Sequence, residues 1–203
     1  WACSADGSKI EEVGEFDEQQ TQNLAIVGPQ KSPWGRGTKL FAPVKHFVEK
    51  FKDAPALGIK QPGALCVFVT DGIIEDLSDV KRYCFQYAQE VTNQSKPFLK
   101  MLLIGIGDEV DVGQMEELDN MFEGKNIKDA SGQDIDIWDH QLASDMNKLE
   151  QVFKEFVSED MTVIGSGQIL NQAGKVCKDY PDGVPALLRF TLPSVSTSFT
   201  LEF

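Results

Sequence analysis

The residues best suited to chemistry are oxygen donors set in glycine-rich loops. Trp34-Gly35-Arg36-Gly37-Thr38 precedes an apolar helical stripe, Thr70-Asp71-Gly72 ends a β-prone run, and Gly105-Ile106-Gly107-Asp108 ends another. An aspartate closing a strand and a threonine opening a helix are hard donors. A magnesium-type cation takes such donors in octahedral array and keeps some of its waters. Thr38 equally suits a helix N-cap, and Asp71 a simple turn. Residue types alone leave both readings open.

Other chemistries fit less well. His46 and His140 show no HxxxH or HxxE spacing, so both read as structural or solvent-facing. Asp139 and His140, adjacent in sequence, are badly placed to orient one another in a hydrolytic triad. A Gly-x-Ser-x-Gly elbow is missing too. Gly105-Ile106-Gly107 lacks the third glycine of a dinucleotide fingerprint. Asp71 before Gly72 would suit a magnesium-dependent phosphotransferase or phosphatase nucleophile. Haloacid-dehalogenase-like phosphatases carry a second aspartate two residues earlier, where this chain has Val69. Glu75, Asp76 and Asp79 read as a solvated acidic helix start that complements the helix dipole and would repel anionic substrates. The expectation is a protein that is not an enzyme.

Positioning those loops requires alternating elements. Leu65–Val69 is a continuous apolar run that predicts a strand buried on both faces. Leu77, Val80, Cys84, Tyr87, Ala88 and Val91 recur at helical spacing, with Ser78 or Asp79 placed to cap the first turn. Residues 98–106 predict a second buried strand. Val112, Met115, Leu118, Asp119 and Phe122 share a helical face on which Asp119 is the odd polar member. Residues 135–138 predict a short strand, 146–157 a last helix, and 40–51 an earlier one with Pro43 in its first turn. Trp1-Ala2-Cys3 resembles a strand end, residues 24–27 suit another strand, and the rest of 1–35 reads as acidic or glutamine-rich loop. Beyond Asp160 the pattern turns to short strands, 161–165, 168–170, 176–177, 186–192 and 198–203. Turns are expected at Asn171–Gly174 and Pro181–Gly183.

The predicted fold is therefore α/β, with a mostly parallel, doubly wound sheet covered on both faces over residues 1–159 and a β appendage over 160–203 packed on it. The 203 residues carry 32 acidic against 19 basic side chains, a net charge of −13. Phosphate backbones are bound through Lys and Arg, so nucleic acid is not an expected partner, whereas a cation or a basic protein suits this surface. The apolar runs fall well short of the ~20 residues that cross a bilayer, so no membrane is expected. The four scattered cysteines, Cys3, Cys66, Cys84 and Cys177, form no zinc spacing and read as reduced thiols in a reducing, cytoplasmic compartment. With Trp1 first and a strand-like alternation at the last residues, the sequence reads as a segment of a longer chain.

Arg36-Gly37-Thr38 with its helix, Phe68-Val69-Thr70-Asp71-Gly72, and Leu103-Ile104-Gly105-Ile106-Gly107-Asp108 resemble, in order and spacing, the later part of a von Willebrand factor A domain. The resemblance covers about residues 1–157. It implies a Rossmann-like fold with a metal-ion-dependent adhesion site. Thr38 matches the family's second-loop threonine and Asp71 its third-loop aspartate. Trp1–Ser4 looks like the end of the family's second strand. The bare loops resemble, more weakly, the intracellular bacterial members linked to tellurite or stress resistance. The family's first loop, Asp-x-Ser-x-Ser, is not matched, and Ser4-Ala5-Asp6-Gly7-Ser8 has the wrong order. By the resemblance, the first strand and helix lie upstream of Trp1. The implied function is a protein-interaction module. It would hold Mg2+ (or Mn2+ or Ca2+) partly through Thr38 and Asp71 and bind an acidic residue of a protein partner through that ion. A metal-free scaffold is the alternative.

Overall fold

The computed structural model describes residues 1–4, 7–25, 27–53, 64–128, 132, 134–145, 162–163, 166–181, 183–185 and 188–202. The chain divides into two compact units, Trp1–Met146 and Asn147–Phe203. The first opens with a two-residue antiparallel pair, β1 (Ala2–Cys3) and β2 (Lys9–Ile10), and a short helix α1 (Glu18–Gln22). Then follow α2 (Phe41–Lys50), β3 (Ala64–Thr70), α3 (Leu77–Thr92), β4 (Leu99–Gly105), α4 (Val112–Asp119) and β5 (Trp138–Leu142). β3, β4 and β5 form a parallel sheet in that order, with Ala64 opposite Leu99 and Met101 opposite Trp138. This is a mixed α/β unit, as the alternation of periods 2 and 3.6 requires.

The apolar stripes of three helices meet one face of that sheet. Val44 and Val48 of α2, Val80, Cys84, Tyr87, Ala88 and Val91 of α3, and Met115 and Leu118 of α4 pack with Cys66, Phe68, Met101, Leu103 and Trp138. Phe68 lies 5.5 Å from Trp138 and 5.7 Å from Phe47, ring to ring. The buried Tyr87 hydroxyl donates to the Pro97 carbonyl at 2.6 Å and accepts from the Leu99 N–H at 2.8 Å, tying α3 to the start of β4.

The opposite face departs from expectation. β3 is not buried on both sides, because Val67 and Val69 are 39% and 61% exposed, while Cys66 and Phe68 are buried. A continuous apolar run marks a doubly covered strand only where both faces have cover, and on β3, one of the two edge strands, only the face of Cys66 and Phe68 is covered. β4, in the centre, is buried on both faces, Leu102 and Ile104 included.

Local corrections have local causes. The strand expected at 135–138 runs instead from Trp138 to Leu142, and the Ile135 N–H donates to the Ile127 carbonyl at 2.9 Å rather than to the sheet. Leu24, Ala25 and Val27 form no strand. The strand end expected at Trp1–Cys3 is present as Ala2–Cys3, paired antiparallel with Lys9 and Ile10. Within the predicted loop, Asp17 and Gln20 close a reciprocal capping box that starts α1. The helix expected at 146–157 lies outside the described residues. Among the described residues, no helix is long and apolar enough to cross a membrane.

In the second unit, β7 (Gly167–Asn171) is central between β10 (Phe199–Glu202) and β8 (Val176–Tyr180), all antiparallel, and β6 (Thr162–Val163) pairs with β9 (Val184–Pro185). The turn at Asn171–Gly174 forms as expected. Asn171 Oδ1 accepts from the Ala173 and Lys175 amides at 3.0 and 2.9 Å, and Gly174 takes φ +73°. Residues 188–192 are irregular rather than strand, and 186–187 lie outside the described residues.

Candidate functional site

The two residues singled out in sequence, Thr38 and Asp71, line one cleft of about 1660 Å³ beyond the carboxyl end of β3. In an open parallel sheet this is where ligands sit. Their loops are fastened to each other and to α4. Thr38 bridges Ile74 in parallel, and its carbonyl accepts the Glu75 N–H at 3.0 Å. Ile74 is buried, its N–H donating to Gln114 Oε1 at 2.7 Å while Gln114 Nε2 donates back to its carbonyl at 3.1 Å. The Ile106 N–H donates to the Thr70 carbonyl at 2.8 Å, joining the ends of β3 and β4. The Thr38 hydroxyl stands so close over Gly72 that a Cβ there would lie 3.0 Å from it.

Thr38 is not the cap of α2. The N-cap position is Leu40, with no cap from its own side chain. Asp76 supplies the cap from 35 residues away, its two carboxylate oxygens accepting the Leu40 and Phe41 N–H groups at 2.9 and 3.1 Å. Asp76 is therefore no freely solvated acid, and neither it nor Ser78 nor Asp79 caps α3 by the expected route, since α3 has no side-chain cap bond. Glu75 is held as well, in an ion pair with Lys39 at 2.8 Å. That hydrogen bond raises the Lys39 pKa despite some desolvation, with Asp76 and Asp79 adding to the effect.

Asp71 remains exposed, with no partner among the described residues. Asp108, Glu109 and Asp111 add negative charge to the same cleft, against Arg36 and the paired Lys39. As a cation site the corner is incomplete. Asp76 is occupied in capping and Glu75 by Lys39, leaving the Thr38 hydroxyl and the Asp71 carboxylate as free protein donors. An octahedral magnesium ion would keep water at its remaining positions. The residues thus fit one part of an ion's shell.

The glycines of the third loop have packing explanations. A Cβ on Gly105 would lie 2.8 Å from Val110 Cγ1 and 3.0 Å from Met115 Sδ, and Gly107 takes φ +82°. Only glycine lets α4 approach the end of β4 so closely and the loop then turn.

A second polar cluster escaped the sequence reading. Lys100 Nζ sits 2.8 Å from Asp136 and 3.0 Å from Asp139, and His140 Nδ1 pairs with Asp119 Oδ2 at 2.5 Å. Burial raises the Asp139 pKa, opposed by Lys100. Asp119, Asp136 and Asp139 are close enough to hold an ion, but the Lys100 ammonium already stands among Asp136 and Asp139 as their counter-charge. The signal in sequence was Asp119 itself, an acid on an apolar stripe. His46 pairs with Glu12 at 3.0 Å on the surface.

The cysteines are free, with Cys3, Cys66 and Cys84 buried. Burial pushes the Cys66 and Cys84 thiols up to about 12, a Trp138 indole hydrogen bond pulling weakly the other way at Cys84. Compared with known proteins, the chain matches no family model, no curated protein and no solved structure.

Proposed function

We propose that this chain is a protein-interaction module of von Willebrand factor A-like, doubly wound design. On this reading it is not an enzyme and engages its partner through the acidic cleft at the end of β3. The observation that carries the proposal is the exposed Asp71 carboxylate, without a partner among the described residues, lining the same cleft as Thr38 on loops tied together through Ile74 and Gln114. Such fastening keeps a site preorganised, which lowers the cost of binding. A bound magnesium-class ion would offer an open coordination position to a partner's acidic side chain. Asp71 would supply charge at that corner, and Thr38 a hydroxyl, directly or through water. The buried reduced thiols suit a cytoplasmic setting.

A second reading, a metal-free scaffold, is favoured by one observation: the neighbouring carboxylates Asp76 and Glu75 are already engaged. A magnesium titration followed by amide shifts separates the two. Shifts confined to residues 37–39 and 70–73, with a dissociation constant on the order of millimolar and loss in Asp71→Ala, support the metal-assisted module. Unchanged amide positions throughout, or identical shifts in Asp71→Ala, leave the metal-free scaffold.

A further inference from the structure

Residues 27–37 carry no helix or strand, yet one point of this loop is pinned. The Glu11 carboxylate, just past β2, accepts the Gln30 N–H at 2.6 Å through one oxygen and the Lys31 N–H at 2.8 Å through the other. Successive backbone N–H groups turned to one point form a nest for an anion. The Gln30 amide above all lowers the Glu11 pKa, against some desolvation, with the Lys31 and Ser32 amides and the Lys31 charge adding to the effect. Glu12, the next residue, pairs instead with His46 of α2 at 3.0 Å. This stretch therefore holds the loop with one carboxylate and α2 with the next.

Ser32 stands at that latch. Its hydroxyl has no hydrogen-bond partner among the described residues, and Lys31 and Pro33 on either side are exposed. Ser32-Pro33 is the one step in the 203 residues where serine or threonine precedes proline. A residue before proline is biased to extended backbone, and Pro29 and Pro33 keep the segment out of a helix. An extended surface segment with a free hydroxyl is a form in which a kinase can take its substrate.

We propose that Ser32 is a phosphorylation site whose phosphate releases Glu11 from the Gln30–Lys31 nest. The Ser32 hydroxyl attacks the terminal phosphorus of a nucleoside triphosphate. A new O–P bond forms as the bond to the nucleoside diphosphate breaks, and the hydroxyl proton passes to solvent. The product carries about −1.5 to −2 charge at neutral pH, next to the N–H groups that hold Glu11. Like charges so placed repel, and the phosphate oxygens compete for the Lys31 ammonium. The loop keeps its other tie, the Ser4 N–H to the Pro33 carbonyl at 3.0 Å, so the release stays local. Trp34, whose indole lies against Gly28 of the same loop, reports the movement. The switch needs no ion in the cleft.

The test uses the 203-residue chain, a serine kinase that takes proline after its target, adenosine triphosphate and magnesium. Nucleotide and metal are removed before measurement. Mass spectrometry should find phosphate on Ser32 and none in Ser32→Ala. Amide exchange at Gln30 and Lys31 should then rise about tenfold, with altered tryptophan emission and unchanged exchange at residues 84–91 of α3. Glu11→Ala should raise the same two rates without kinase, and phosphorylation should add less than about twofold to it. An unmodified Ser32, or a phosphorylated chain in which Gln30 and Lys31 exchange as before, overturns the switch. So does a full rise on phosphorylation in Glu11→Ala, because the effect would then bypass the latch.

Discussion

Replacing Asp76 with alanine tests whether the cleft is assembled from a distance. Its carboxylate accepts two backbone N–H groups at the start of α2, and Leu40, which carries one of them, is buried. Losing a cap costs about 1 kcal/mol per bonded N–H, and losing the negative charge at a helix N-terminus adds about 0.3–1 kcal/mol. Asp76→Ala should therefore destabilise the first unit by about 2–3 kcal/mol. For a chain of this length that is roughly 4–12 °C in melting temperature. Asp76→Asn keeps one acceptor oxygen and should lose about half as much. Asp79→Ala, which removes a surface contact to Arg82 at 2.5 Å and a minor charge effect on Lys39, should stay within about 0.5 kcal/mol. Urea unfolding gives the magnitudes, and amide exchange gives the place, since the loss should concentrate at residues 40–44. The reasoning fails if Asp76→Ala and Asp79→Ala are equally mild, or if exchange rises uniformly along the chain.

Gly105→Ala forces a methyl group to within 2.8 Å of Val110 and 3.0 Å of Met115. It should cost about 1–3 kcal/mol in urea unfolding, and a neutral result would contradict the packing described for α4. The buried thiols make the fold alkali-sensitive. Cys66 and Cys84 are raised from 9.0 to about 12 in the folded chain. Their neutral forms are thus favoured in the fold, a contribution fully present below pH 9 and lost as pH rises towards 12. Unfolding free energy should fall over that window, less steeply in Cys84→Ala. In the native chain Cys177 alone should react promptly with a thiol reagent, and all four cysteines should react after denaturation.

Legibility in the sequence followed the range of the interaction involved. Helices at 41–50, 77–92 and 112–119 were readable because each carries its own periodic stripe, and β3 and β4 because each is a compact β-prone run. What failed depended on distant partners. Nothing local in Leu65–Val69 says that one face lacks cover, and nothing local in 135–142 says that Ile135 bonds Ile127 while Trp138 begins β5. Asp76 looked like an ordinary acidic helix start, since its true partners, Leu40 and Phe41, lie on another element. The Asp119–His140 pair was half visible, as an acid on an apolar stripe. Its partner came from a strand whose register the sequence could not specify. That Thr38 and Asp71 come to one cleft was legible from their loop positions at the ends of neighbouring elements. The engagement of the carboxylates around them was not.

The Tyr87 phenol, which both gives and takes a backbone hydrogen bond at the entry to β4, bears on where the molecule opens first. It ties α3 to a strand that pairs with β3 along all seven of its residues. Residues 38–40 join that block across a similar length of chain but through fewer links: the Asp76 cap, the Thr38–Ile74 bridge and the Lys39–Glu75 pair. Local opening should therefore begin at this rim of the cleft rather than in the sheet beneath it, and a ligand held by the closed rim would shift that opening equilibrium.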